Sequence, residues 1–385
     1  MIPRSAKETL IRLSSQFPVV CVTGPRQSGK STLTQATFPE KQYISFDDAN
    51  IRNLAESNPT DFVMAFPDGV IIDEVQKVPS LFDAIKLDVD RNGGVPGKFI
   101  LTGSSQFRLK KNMSDSLAGR AAFVRLLPFS ILELKQEGRL PENPYDLIHK
   151  GQFPPLYDDA RYFTTFDWYE SYLETYLEQD VSDQINPGNM STFKKFIQIC
   201  AVYSGQLLSM EHIARDVGVS APTIKSWLSI LENSFIINLL EPDVKSLGRK
   251  LVRTPKLYFN DSGLLCHLLR LETKEALLLS QYKGAVVETF AISEMMKSRL
   301  NKGRRPNLSF FRDKNGLEVD IIADWEKLMA IEIKSSSVPE SKHSSSSRRY
   351  LDLRADSSAV SAVYYLGDLT MTINGTRYTG WKDWP

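Results

Sequence analysis

Cysteine is scarce in this chain of 385 residues: Cys21, Cys200 and Cys266 are widely spaced and include no CxxC pair. That excludes a disulfide framework and a cysteine-built zinc site, and it fits a reducing compartment. Net charge is nearly absent, at +1, so nothing draws the whole chain toward nucleic acid or acidic membranes, and any DNA contact must come from a local patch. No apolar run approaches the roughly 20 residues that a membrane span needs, and the opening "MIPRSAKETLIRLSSQF" is too polar for a signal peptide. No internal repeat is visible. A cytoplasmic protein with no membrane partner is expected. What is present is a globular composition, 42% hydrophobic and 24% charged, in a length that suggests two or three cores.

Up to about residue 135, the apolar runs "FPVVCVTG", "QYISFDD", "GVIIDEV" and "KFILTGSS" alternate with helix-length polar stretches. Continuous apolar strands spaced in this way predict an α/β fold with a parallel sheet covered on both faces. A cluster of breakers from Gly138 to Pro155 marks a boundary, followed by the aromatic helix "FDWYESYLETYLEQDV". Residues 192–232 read as helices. Within them "MEHIARDVG", a turn at Gly218 and a second helix capped by Ser220 form a helix-turn-helix, with Pro222 in the first turn and Trp227 in the core. "SFIINLLEP" and "KLVRTPKLYFND" fit the strands of a wing. From about residue 280 come the helix "GAVVETFAISEMMKSRL", strands at "LSFFRD", "LEVDIIAD" and "KLMAIEIKS", a Ser-rich loop near "SKHSSSSRR", a strand at "AVYYLGD", and a hairpin at Asn374-Gly375.

"GPRQSGKS" follows an apolar strand and precedes a helix, matching GxxxxGK[ST]. Gly24, Pro25, Arg26, Gln27, Ser28, Gly29, Lys30, Ser31 and Thr32 are therefore the expected nucleotide-binding residues. The loop's N–H groups curl around phosphate, Lys30 adds positive charge and Ser31 holds Mg²⁺. "VIIDEV" places Asp73 and Glu74 at a strand end, Asp73 for Mg²⁺ and Glu74 to orient or deprotonate water. Thr102, Ser104 and Ser105 end the next strand, and Ser104 is the preferred γ-phosphate sensor. Arg120 in "SLAGRA" is a candidate arginine finger, in cis or from a neighbouring subunit. ATP and Mg²⁺ are the expected cofactors.

"GPRQSGKSTL", "IIDEVQKVPSLF", "FILTGSSQF", "SLAGRA" and "LPFSILEL", with the later "GQFPPLY", "KLYFNDSGLL" and "GAVVETF", resemble the bacterial and archaeal AAA-type ATPases that carry a C-terminal domain of uncharacterised function. The resemblance covers nearly the whole chain. It implies an ASCE-type P-loop ATPase domain over 1–135, a helical linker or lid over 136–190, a winged-helix region over 191–260 and an α/β restriction-endonuclease-like domain over 261–385. It also puts the family's "LAGR" arginine on Arg120. One departure is Gln152, where the family's Gly-Gly-Phe-Pro element has a second glycine.

In "LMAIEIKS", strand alternation puts Glu332 and Lys334 on one face. Asp320 precedes them on "LEVDIIAD", and Glu288 lies in an apolar helix stripe where a carboxylate needs a partner or a metal. Glu288, Asp320, Glu332 and Lys334 have the order of a PD-(D/E)xK nuclease pattern. In that reading Asp320 and Glu332 bind Mg²⁺, Glu288 completes the ligand set and Lys334 stabilises developing charge. The competing reading of E-x-K is a cross-strand salt bridge.

The expected function is an ATP-hydrolysing switch or motor coupled to a winged-helix and nuclease-like module acting on DNA. In the alternative, the C-terminal domain is non-catalytic and binds a protein or nucleic-acid partner. A third reading is a transcription regulator whose nucleotide state controls the helix-turn-helix. Arg215, Lys225, Lys245, Arg249, Lys250, Arg253 and Lys256 are the candidate DNA-phosphate contacts. A homo-oligomer is a further expected assembly.

Overall fold

The computed structural model describes residues 1–104, 117–161, 163–177, 181, 185, 187–243, 252–354 and 358–385. Ser105, Lys245, Arg249 and Lys250 lie outside the described residues. The chain divides into two units: Met1–Phe129 with Asn233–Phe235 and Arg299–Arg304, and the remainder from Ser130 to Pro385. Among the described residues, no helix is long and apolar enough to cross a membrane.

In the first unit, β1 (Val19–Thr23), β2 (Gln42–Ser45), β3 (Val70–Asp73), β4 (Phe99–Gly103) and β5 (Ala121–Arg125) form one sheet in the order β2-β3-β4-β1-β5. Every pairing is parallel. The apolar runs of β1, β3 and β4 are buried at each position, as central strands covered on both faces require. Alternation along β1 sends Val19 and Cys21 into one core and Val20 and Val22 into the other. This two-sided α/β layer places the ends of β1 and β3, the two motif-bearing strands, along one sheet edge.

The second unit opens with helices. Among them Met210–Val217 and Ala221–Asn233 are separated by Gly218 at φ 91, a left-handed turn that suits glycine. Ser220 accepts from the Thr223 N–H at 3.3 Å and so starts the second helix. Trp227 is buried against Phe193 and Phe196, with ring centroids at 5.2 and 5.4 Å. An antiparallel ribbon follows, β6 (Ile237–Leu240) with β7 (Lys256–Phe259), and Leu207 bridges to Lys256 on its far side.

After the helix Lys283–Leu300 come β8 (Leu308–Arg312), β9 (Glu318–Asp324), β10 (Leu328–Lys334), β11 (Val360–Tyr365), β12 (Met371–Ile373) and β13 (Thr376–Gly380). They form a mixed sheet in the order β12-β13-β11-β10-β9-β8. The hairpin turn at Asn374 and Gly375 has φ 49 and 77, as a two-residue primed turn demands.

One sequence reading changes here. The Ser-rich stretch is not a loop: a short turn over Ser341–Ser344 leads into a helix, Ser345–Arg354. Its buried hydroxyls fold back locally, Ser347 onto the Ser344 carbonyl at 3.1 Å, while Tyr350 packs on Phe311. Gln152, the departure from the family's element, is buried. Its amide donates to Glu294 at 2.8 Å and accepts from Lys297 at 2.6 Å, so the side chain that replaces glycine completes a buried polar network.

Candidate functional site

The phosphate loop is shaped by glycine where nothing else fits. A Cβ on Gly24 would lie 2.0 Å from the Leu126 carbonyl oxygen, and Gly29 opens the helix Lys30–Thr37 at φ 89. Lys30 is buried and donates to the carbonyls of Gly24 and Pro25 at 3.1 and 2.9 Å. Thr32 and Gln27 are exposed, whereas Ser28 is buried with its hydroxyl oxygen unpartnered, as is that of Thr23.

Asp73, at the end of β3, is the hub of the site. Its Oδ2 accepts from Ser31 at 2.8 Å and from Tyr43 at 2.6 Å, and its Oδ1 accepts from Thr102 and from the Glu74 N–H at 3.2 Å. Burial, and then the Asp73 carboxylate, raise the Tyr43 phenol above its ordinary pKa, so Tyr43 acts there as a donor. Glu74 sits in the left-handed region at φ 53, which re-aims it just after the strand. Its Oε2 accepts from both Gln76 and Ser104, the latter at 3.3 Å.

Arg120 lies elsewhere. It precedes β5, its carbonyl accepts from the Val19 N–H, and its guanidinium holds Asp90 at 2.6 Å. Val19 is the first residue of β1 and the phosphate loop follows the last, about 13 Å away at ~3.3 Å per residue. A cis role at this chain's own loop is therefore corrected: the parallel sheet puts the two features at opposite edges.

In the second unit, β9 and β10 pair with Ile331 opposite Ile321 and Ala330 opposite Ile322, a register that brings Asp320 beside Glu332. Lys334 is 2.9 Å from Glu332 and 3.8 Å from Asp320, and the Ile333 N–H donates to Asp320 at 2.8 Å. Glu332 is 5% exposed, and its Oε1 is buried without a partner. Burial, then the Asp320 charge, push its carboxyl up to about 7, with Lys334 opposing. Lys334 itself is raised: burial works against its charge, and Asp320 and Glu332 overcome that.

Glu288 is held on other partners. Its Oε1 accepts from Tyr258 and lies 3.3 Å from the Lys256 ammonium, which also holds Glu318 at 2.7 Å. Among the described residues, no three His, Cys, Asp or Glu side chains converge to hold an ion. Of the expected set, Asp320 and Glu332 lie side by side on adjacent strands, while Glu288 stands near Asp320 with its Oε1 held by Lys256 and Tyr258. Lys256 is 3% exposed, which corrects its expected place in a surface phosphate track. Replacing it leaves Glu288 without its cation, whereas Glu318 keeps Arg312 at 3.3 Å. Lys256→Met is expected to cost about 3–5 kcal/mol, read by denaturant unfolding, whereas a loss under about 1 kcal/mol would mark the pair as solvent-screened.

Residues 16–135 match the family model described as an AAA domain, 142–275 a domain of unknown function (DUF8612), and 283–384 another (DUF4143). Over 339 residues the chain is 30% identical to Uncharacterized protein Rv2008c of Mycobacterium tuberculosis and to Uncharacterized protein Mb2031c of Mycobacterium bovis, covering 87% of this chain and 74% of each relative. The chain belongs to their family, as an AAA-domain protein with a C-terminal DUF4143 domain. A solved structure with similarity is the Walker-type ATPase paby2304 of Pyrococcus abyssi, 15% identical at a TM-score of 0.48, covering 70% of this chain and 96% of that one.

The donor set of this AAA-domain protein fits a nucleotide with its cation. Gly24 lets the start of the loop pass close against the Leu126 carbonyl, and Thr23 and Ser28 present buried hydroxyls with unused capacity. Sequence reasoning missed Tyr43 and Gln76, and placed Lys256 in a surface track rather than beside Glu288. Tyr43 and Gln76 carry no motif signal; strand order brings Tyr43 to Asp73, and a single turn brings Gln76 to Glu74.

Proposed function

We propose that this AAA-domain protein is an ATP-hydrolysing switch whose phosphate-loop site controls a winged-helix and nuclease-like module acting on DNA. The observation that carries the reading is the Asp73 hub, which ties Ser31, Tyr43 and Thr102 to one carboxylate beside Glu74. In it, Lys30 and the loop N–H groups bind the outer phosphates, and Ser31 and Asp73 hold Mg²⁺, which when bound neutralises phosphate charge. Gln76 and Ser104 fix Glu74 through Oε2, leaving Oε1 to take the proton of the attacking water. Arg120 completes a neighbouring subunit's site in a homo-oligomer.

The helix-turn-helix, the ribbon and the Leu207 bridge support a winged-helix reading, in which exposed Arg215, Lys225 and Arg253 meet DNA phosphate. Asp320 and Glu332 are the metal pair and Lys334 the charge stabiliser of the nuclease-like site. The Glu332 oxygen without a partner favours this fit, since a buried acceptor of that kind is costly unless something occupies it. The capture of Glu288 by Lys256 and Tyr258 favours a second reading, in which the C-terminal domain binds a protein or nucleic-acid partner without cutting it.

Duplex DNA added to a steady-state phosphate-release assay separates them. The first reading expects turnover to rise several-fold, with the increase lost in Arg215→Ala/Lys225→Ala. It also expects the duplex to be cut, and to stay intact with Asp320→Asn/Glu332→Gln; turnover indifferent to DNA, or DNA bound and left uncut by the wild type, would leave the second.

A further inference from the structure

The helix Ala6–Ser14 docks through Ala6 and Leu10, one turn apart and fully buried, onto the face of the sheet built by Val20, Val22 and Val124. That docking puts Arg4, two residues before it, at the edge where the phosphate loop lies. Arg4 donates from one guanidinium nitrogen to the Ser28 carbonyl at 2.6 Å and from another to the Leu127 carbonyl at 2.6 Å, and its plane lies 4.9 Å over the Phe129 ring. Charge-assisted bonds to two separate carbonyls suit the rigid guanidinium fork. The same Leu126–Leu127 stretch crosses the start of the loop: the Leu126 N–H donates to Thr23 at 2.7 Å, and the Leu126 carbonyl is what forbids a side chain at Gly24.

We propose that Arg4 is a positioning residue for nucleotide binding, clamping the phosphate loop to the exit of β5. The inference rests on the nucleotide-binding reading of that loop. Its physical content is the orientation of one peptide plane. In a trans peptide the carbonyl and the following N–H point to opposite sides. Drawing the Ser28 carbonyl toward Arg4 therefore turns the Gly29 N–H away from it, to the side on which phosphate is bound. Without the guanidinium, that plane is free to rotate about the glycine, which tolerates either orientation. The loop would then have to be ordered by the nucleotide itself, at a cost in affinity.

Because the Gly29 N–H meets phosphate in ground and transition states alike, removing the clamp raises KM for ATP and leaves kcat nearly unchanged. The test is calorimetry with MgATP on the full chain, comparing wild type, Lys30→Ala, Arg4→Met and Arg4→Lys, with the thermal midpoint of each ligand-free protein and steady-state kinetics beside it. Arg4→Met is expected to weaken MgATP about tenfold or more, with KM rising in step and the midpoint within a few degrees of wild type. Arg4→Lys recovers part of the loss, since one ammonium cannot span both carbonyls in the same way. Wild-type affinity in Arg4→Met overturns the clamp. If Arg4→Met does not fold, wild-type affinity in Arg4→Lys overturns the two-carbonyl geometry. A wild type that binds no MgATP, or binds it indifferently to Lys30, sinks the nucleotide reading and the clamp with it; binding that needs Lys30 but not Arg4 sinks the clamp alone.

Discussion

Glu74→Gln is expected to lower ATP turnover by about 10²–10⁴-fold while ATP affinity stays within a few-fold of wild type. The substitution keeps the size and hydrogen-bonding length of the side chain but removes its capacity to accept a proton. Asp73, the residue that would hold the cation, keeps its contacts to Ser31, Tyr43 and Thr102. Binding and chemistry therefore separate at adjacent residues. The check is single-turnover hydrolysis beside equilibrium binding. Loss of binding and turnover together would make Glu74 part of the structural hub, and unchanged turnover would remove it from the chemistry.

The second large effect concerns the other unit. On a Lys30→Ala background, titration calorimetry with Mn²⁺ is expected to show one binding event, abolished in Asp320→Asn/Glu332→Gln and kept in Glu288→Gln. Two strand carboxylates beside one another suit a hard, oxygen-seeking cation, and the unpartnered Glu332 oxygen gives it a ligand that no protein group claims. Glu288 already has the Lys256 ammonium and the Tyr258 hydroxyl. Burial and the nearby Asp320 push its carboxyl up to about 7, as they do that of Glu332, so it is the Lys256 and Tyr258 contacts that set Glu288 apart. If Glu288→Gln alone abolished the event, Glu288 would belong in the ligand set and Lys256 would have to move aside. Identical heats from the intact and doubly changed proteins would leave the domain without a metal site.

The phosphate loop and the Asp73-Glu74 pair were legible because each is a local pattern on a continuous apolar strand. So were β1 to β4, β8 to β11 and the Asn374-Gly375 turn, where period, breakers and turn chemistry agree. What was not legible depends on chain segments far apart in sequence. Tyr43 and Thr102 reach Asp73 only because β2 and β4 flank β3 in the sheet. Lys256 reads as one member of a basic run, and only the ribbon pairing turns it inward onto Glu288 and Glu318. Arg120 looks close to the ATP machinery along the chain, yet a parallel strand carries it to the opposite edge. The helix Ser345–Arg354 was obscured by serine composition, since hydroxyls that ordinarily favour turns are here satisfied by carbonyls one turn back.

The central claim is that this AAA-domain protein turns over ATP at its phosphate loop. Phosphate release in Mg²⁺ and ATP by the wild-type chain, measured beside Lys30→Ala from the same preparation, tests it most directly. The account predicts steady release by the wild type and background release by the variant; equal rates from the two proteins would contradict it.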